Sequence, residues 1–80
     1  MDFSIFPNPV KDGPITINSS SSLLSVAFYN LQGQIKYKLK QPQLISDGSY
    51  AVSVQSLSKG LYLVELKTLS KTHYAKLQVH

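Results

Sequence analysis

The chain has 80 residues, enough for one small domain, and it contains no cysteine, which excludes a disulfide framework, a cysteine metal site and a thiol nucleophile. Eight lysines against four acidic residues give a net charge of +4, but arginine is absent. Because nucleic-acid-binding proteins commonly use arginine for bidentate contacts, we expect no nucleic-acid partner. No apolar run reaches the roughly 18 residues of a membrane span, and the N-terminus does not resemble a signal peptide.

Short apolar runs separated by turn residues recur along the chain, a pattern typical of β-strands. In chain order the predicted strands are Phe3–Phe6, Ile15–Asn18, Leu24–Tyr29, Gln34–Lys40, Ser49–Val54, Gly60–Lys67 and Thr72–His80. The connections include Lys11-Asp12-Gly13-Pro14, Gln32-Gly33 and Asp47-Gly48, whose residue types favour turns.

The segment Gln34–Lys40 has the strictest alternation in the sequence. Apolar side chains at Ile35, Tyr37 and Leu39 alternate with Lys36, Lys38 and Lys40, as expected for a strand with one solvated face. We interpret the lysines as that face, where they also discourage edge-to-edge association; a stripe that binds a polyanion is the alternative.

A helix is the rival interpretation of this region, because Leu24, Phe28, Leu31 and Ile35 also fit a helical stripe. Gly33 in the middle of that stripe and the strict alternation after it favour strands.

The segment Gly60–Lys67 is apolar on both faces, with Leu61 and Leu63 alternating with Tyr62, Val64 and Leu66. A strand of this kind is expected at the centre of a sheet, or with its second face covered. Seven short strands with turns about every 8–12 residues predict an all-β fold: an antiparallel immunoglobulin-like β-sandwich of about seven short strands. We expect a single domain over residues 1–80, with Met1 and Asp2 interpreted as a linker.

Residues that could perform catalysis or bind a metal are scarce. His73 and His80 are an odd number of positions apart on one predicted strand, so they lie on opposite faces and cannot chelate one ion together. Asp12 and Asp47 precede glycines in turns and lack the spacing of a calcium loop, while Glu65 is expected to pair with Lys67 at the surface. We therefore predict no enzymatic activity, no metal site and no cofactor.

Several landmarks follow one another in a distinctive order. They are Phe3-Ser4-Ile5-Phe6-Pro7-Asn8-Pro9, Asp12-Gly13, Ile15-Thr16-Ile17, Val26-Ala27-Phe28-Tyr29-Asn30-Leu31-Gln32-Gly33-Gln34, Leu57-Ser58-Lys59-Gly60-Leu61-Tyr62-Leu63-Val64 and a closing strand with Lys76. In this order the chain resembles the C-terminal sorting domain (type A) of type IX secretion cargo proteins of Bacteroidetes, over nearly its whole length.

The resemblance implies a secretion signal rather than a catalyst. Family members follow a larger cargo domain in the same precursor, fold in the periplasm, and are recognised by the outer-membrane type IX translocon. A sortase-type peptidase then usually removes the domain, and the cargo reaches the cell surface or is secreted. A terminal strand of this kind can be recognised by β-augmentation or by a groove that takes the chain end.

We expect recognition by the translocon to involve residues that fix the chain path or are carried by the closing strand. These are Pro7, Asn8, Pro9, Gly33, Gly60, Tyr62, Lys76, Val79 and His80. For Gly60 and Tyr62 the alternative is that they only build a turn and the core, and for Lys76 that it is only solvated.

Two other functions remain open from the sequence. An immunoglobulin-like carbohydrate-binding or adhesion module would expose aromatic side chains on one sheet face, whereas most of the five tyrosines fall on faces predicted to be buried. An inert spacer between domains is the third possibility.

Overall fold

The chain folds into eight β-strands in the computed structural model, which describes residues 3–11, 13–69 and 71–80. The strands are β1 (Phe3–Phe6), β2 (Ile15–Ser19), β3 (Leu23–Tyr29), β4 (Ile35–Lys40), β5 (Gln43–Ser46), β6 (Ser49–Val52), β7 (Gly60–Thr68) and β8 (Thr72–Val79). These residues form no helix, so no helix there could span a membrane.

The strands form two antiparallel sheets of four strands each. Sheet A has the order β1-β2-β6-β5, and sheet B has the order β4-β3-β7-β8. These orders correspond to strands A-B-E-D and C′-C-F-G of immunoglobulin domains. The structure confirms the all-β, immunoglobulin-like sandwich and contains one strand more than the seven runs found in the sequence.

The additional strand is β5, at the edge of sheet A. It has only four residues, all of them exposed, including Leu44 and Ile45. A strand with no buried face lacks the alternation that marked the other segments. The neighbouring β6 ends at Val52, two residues before the end of its predicted run, although Val54 is still buried in the core.

The core lies between the sheets and follows the period-2 pattern of the strands. Ile15 pairs with Val52 and Ile17 with Tyr50 in sheet A. The Leu23 N–H donates a 3.1 Å hydrogen bond to the buried Tyr50 hydroxyl, which links the start of β3 to sheet A. The buried cluster comprises Val10, Ile15, Ile17, Leu23, Val26, Phe28, Tyr50, Val52, Val54, Leu57, Tyr62, Val64, Leu66, Leu77 and Val79.

Strands β3 and β4 replace the helical stripe considered for this region. Along β4, Tyr37 and Leu39 pack against the core while the three lysines are exposed. Leu31 and Ile35 of the helical stripe are themselves exposed. The alternation therefore predicted this edge strand correctly, but Ile35, expected on the same face as Tyr37 and Leu39, is exposed at the start of the strand.

Strand β7 lies between β3 and β8, as expected for a segment that is apolar on both faces. Its inward side chains, Tyr62, Val64 and Leu66, are buried. On the outward face Leu61 is half-buried and Leu63 is 36% exposed. The central position is confirmed.

Candidate functional site

The expected recognition residues collect at one end of sheet B. In the register between β7 and β8, Gly60 lies opposite Val79, and Tyr62 lies opposite Leu77. Strand β3 ends at this same end, because Tyr29 lies opposite Leu63, so the turn with Gly33 is found there too. The register thus brings strand ends that are distant in sequence to one end of the domain, which we call the closing end.

The Pro-Asn-Pro segment runs along the outer edge of β8 and is held there by the side chain of Asn8. The Asn8 Nδ2 group donates a 3.0 Å hydrogen bond to the Lys76 carbonyl. The Gln78 N–H donates a 3.0 Å hydrogen bond to Asn8 Oδ1. One side-chain amide therefore satisfies an acceptor and a donor of the edge strand, as a neighbouring strand would. Pro7 and Pro9 beside it have no N–H to donate and are exposed.

Val10 continues this contact and crosses into the core. Its N–H donates to the Gln78 carbonyl at 2.9 Å, and its carbonyl accepts from the His80 N–H at 2.8 Å. It forms a parallel bridge with Val79, and both side chains are buried. From the Lys76 carbonyl to the His80 N–H, the four outward backbone groups named here are all paired. β-Augmentation on this part of β8 would require displacement of the segment Pro7–Val10, which we call the clasp.

Tyr62 fixes the entry to β7 by the arrangement known as a tyrosine corner. Its ring is buried, and its hydroxyl donates a 2.6 Å hydrogen bond to the Ser58 carbonyl four residues earlier. Gly60 between them has φ +148°, a conformation that residues with a side chain rarely adopt. These contacts give Gly60 and Tyr62 a structural role in shaping the closing end.

Lys76 on β8 and His80 just beyond it place basic side chains at the closing end. Lys76 is exposed and lies opposite Leu63 of β7, while His80 is exposed beside a cleft of about 340 Å³ that is also lined by Lys11 and Lys59. His73 faces the other way and stacks on Phe3, with ring centroids 5.0 Å apart. His80 lies one residue beyond the end of β8, so the opposite-face arrangement expected from the spacing stays a prediction.

The turn that contains Gly33 is organised by Asn30. The Asn30 Oδ1 atom accepts hydrogen bonds from the Gln32 and Gln34 N–H groups at 3.0 and 2.9 Å. The Gly33 N–H closes the turn on the Asn30 carbonyl at 3.0 Å, and Gly33 has φ +84°. Gly33 lies at the closing end but follows β3, which is separated from β8 by β7, so it is not part of the clasp.

A carboxylate bound by tyrosine lies on the outward face of sheet B. The Tyr74 hydroxyl donates a 2.9 Å hydrogen bond to Glu65 Oε2, and the Tyr29 hydroxyl lies 3.5 Å from Oε1. Lys67 Nζ is 3.9 Å from Oε1, which confirms the expected pair. The hydrogen bond to the Glu65 carboxylate raises the pKa of Tyr74 above its usual value, because losing the proton would place two negative charges together.

The described residues contain no group of three or more side chains able to hold a metal ion. Asp47 lies in the turn before β6, and Asp12 lies outside the described residues. What the closing end offers chemically is a shaped surface of backbone, amide and cationic groups.

Sequence reasoning missed three residues that build this surface. Val10 was assigned to no strand, although an apolar residue directly after Pro-Asn-Pro was visible. The acceptor role of the Ser58 carbonyl leaves no local pattern, because a backbone carbonyl is present at every residue. The side-chain bonds of Asn30 were signalled only by asparagine preceding a glycine turn.

Fold and site together define a small immunoglobulin-like module whose terminal strand is covered along its outer edge. Comparison with curated proteins gives no match. Over residues 4–80 the chain matches the family described as the secretion system C-terminal sorting domain. The chain belongs to this family of type IX sorting domains, which is non-catalytic in general, and such a domain directs export to the cell surface or secretion.

Proposed function

We propose that the type IX translocon recognises the closing end of sheet B, where the clasp is docked on β8. Periplasmic transit precedes this step, and a sortase-type peptidase afterwards separates the domain from its upstream cargo. The observation that carries the proposal is the double hydrogen bond of Asn8 to the backbone of β8, which joins the Pro-Asn-Pro landmark to the strand that bears Lys76.

Pairing along the outer edge of β8 favours one mode of recognition. The backbone groups from Lys76 to His80 are already bonded to the clasp, so a partner that adds a strand there must first displace it. Recognition of the assembled surface needs no such step. In this mode the partner contacts the exposed residues Pro7, Pro9, Lys76 and His80, while Gly60, Tyr62 and Val79 hold that surface in shape, and Gly33 positions the neighbouring turn.

The test is export of a reporter that carries an inner-membrane signal peptide and this domain at its C-terminus, in a host with a type IX system. The parent is expected at the cell surface or in the medium. A short polar tail added after His80 is expected to leave the reporter in the periplasm, because it extends from the recognised surface. Lys76→Ala should lower export, whereas Lys36→Ala, at an exposed lysine on β4, should not.

Stability measurements separate loss of recognition from loss of folding. Tailed and Lys76→Ala domains should melt within a few degrees of the parent, because exposed substitutions usually change stability by less than about 0.5 kcal/mol. Export of the tailed protein at the parent level would contradict recognition of this end. If the parent reporter were not exported while a control reporter with a known sorting domain was, the result would contradict the sorting function. Mass spectrometry of the exported reporter tests whether the domain is cleaved.

An immunoglobulin-like carbohydrate-binding or adhesion module is the second candidate. The outward face of sheet B supports it, because Tyr29 and Tyr74 border a shallow pocket of about 340 Å³ that also contains Leu63 and Glu65. Tyr74 is 55% exposed. Binding of a neutral oligosaccharide that is lost in Tyr74→Ala would favour this function over sorting.

A further inference from the structure

Four of the eight lysines converge on one groove at the end of sheet B opposite the closing end. The groove has a volume of about 820 Å³ and is lined by Lys38, Lys40, Lys67 and Lys71, with Leu24 and Leu69. Lys40 and Lys67 lie on the two strands that flank β3, and both are opposite Ser25. The small Ser25 side chain between them leaves the floor of the groove open.

The positive charge of the groove is poorly balanced. Within the described part of the chain the one ion pair joins Lys67 to Glu65, and its 3.9 Å separation is at the outer limit for such a contact. The lysines come from β4, β7 and the turn before β8, so they surround the groove from several sides. A ligand with several negative charges is therefore complementary to it.

An apolar tip is located among these cations. Leu69, in the turn between β7 and β8, is 86% exposed, the largest exposed fraction among the large hydrophobic side chains that the structure describes. Leu24 on the other side of the groove is 42% exposed. A soluble polyanion, including a nucleic acid, would leave both leucines in water. The headgroup region of a bilayer offers phosphates to the lysines and an apolar boundary to the leucines.

We propose that this groove and its leucine tip bind the surface of an anionic lipid bilayer. The lysines contact headgroup phosphates, and Leu69 inserts at the boundary with the acyl chains. Strand β7 runs the length of sheet B and separates this surface from the closing end by roughly 25–30 Å. The domain can therefore lie on a membrane at one end while the closing end stays accessible to a protein partner.

The test is co-sedimentation of the 80-residue chain with vesicles of phosphatidylcholine alone or with 30% phosphatidylglycerol added. Binding is expected only with the anionic lipid and should weaken as sodium chloride is raised from about 50 to 500 mM, since salt screens exposed charges. The double variant K40Q/K71Q should lower the vesicle partition coefficient about 25-fold, because each lysine is expected to contribute about fivefold. Its matched control is K11Q/K59Q, at the opposite end of β7, which loses the same charge and should change binding less than about threefold.

Leu69→Ser distinguishes a bilayer from a soluble anion. Vesicle binding should fall about fivefold in this variant, because the apolar tip is lost, whereas binding to heparin or inorganic pyrophosphate should be unchanged. Each variant is expected to unfold near the melting temperature of the parent, which would show that these exposed substitutions leave the fold intact. If K40Q/K71Q and K11Q/K59Q weakened vesicle binding equally, net charge alone would explain the binding and the proposal would be overturned. The proposal would be overturned in favour of a soluble polyanion if Leu69→Ser left vesicle binding unchanged, or if the parent bound a DNA duplex more strongly than the anionic vesicles.

Discussion

Replacing Asn8 by alanine removes both hydrogen bonds that its side chain makes to the backbone of β8. Each hydrogen bond contributes a net of about 0.5–1.5 kcal/mol, and these two are solvent-exposed, so water can replace them in part. The low half of that range gives a loss of about 1–2 kcal/mol. For a domain of this size about 1 kcal/mol corresponds to 4–8 °C, so the melting temperature of Asn8→Ala should fall by roughly 4–16 °C.

The assay combines thermal unfolding, followed by circular dichroism, with amide hydrogen exchange. Exchange should accelerate most at the Gln78 N–H, which loses its acceptor on Asn8. The His80 N–H, bonded to the Val10 carbonyl, should change less. Gln55→Ala is the matched control, because it also removes an exposed amide side chain and should melt near the parent temperature.

Asn8→Asp is the sharper variant. Its carboxylate still accepts from the Gln78 N–H but faces the Lys76 carbonyl without a proton to donate, so stability should fall at least as far as expected for one lost bond. An Asn8→Ala protein that melts within about 1 °C of the parent, with unchanged exchange at Gln78, would refute the clasp as a stabilising contact.

Four further variants test other contacts. Tyr62→Phe keeps the ring but removes the hydroxyl bond of the tyrosine corner, and urea unfolding should show a loss of about 1–2 kcal/mol; no loss would exclude that bond as a contributor. Gly60→Ala should lower the free energy of unfolding by about 1–3 kcal/mol, because alanine rarely adopts the φ of +148° found there, while the added Cβ meets no atom closer than 4.0 Å. Gly33→Asn should lower it less, since asparagine tolerates positive φ, and equal losses would contradict this. Because Glu65 raises the pKa of Tyr74, the folded chain holds that proton more tightly than the unfolded chain, so stability should fall as the pH rises above about 10. In Glu65→Gln the Tyr74 titration, followed by ultraviolet absorbance, should move to lower pH, and an unchanged midpoint would reject the assigned cause.

Local patterns in the sequence predicted the parts of the fold that are governed by side-chain burial. The alternation around Tyr37 identified β4 and its solvated lysines, and the two apolar faces around Val64 identified the central strand. Strand β5 was not predicted because Leu44 and Ile45 are adjacent and both exposed, so the strand that pairs with β6 has no alternating pattern in the sequence. Hydrogen bonding of the backbone, rather than burial, defines that strand.

The candidate site was predictable as a set of residues but not as an arrangement. The Pro-Asn-Pro landmark indicated that Asn8 matters, yet its partners on β8 depend on how two sheets bring the chain ends together. The lysine groove has the same origin, because Lys40 and Lys67 become neighbours only through their shared register with Ser25. Contacts between distant segments are set by topology, which a single sequence specifies only indirectly.

The clasp also imposes an order on the assembly of the domain. The hydrogen bonds of Asn8 join residues 68 and 70 positions apart, so they can form only after almost the whole domain has emerged. A chain interrupted before Lys76 could still pair β1 with β2 and β3 with β7, but it would leave Asn8 without its acceptor. A receptor that binds the surface formed by the clasp and β8 would thus discriminate chains with a complete domain from truncated ones. The domain would then report that its own synthesis is complete, in addition to directing export.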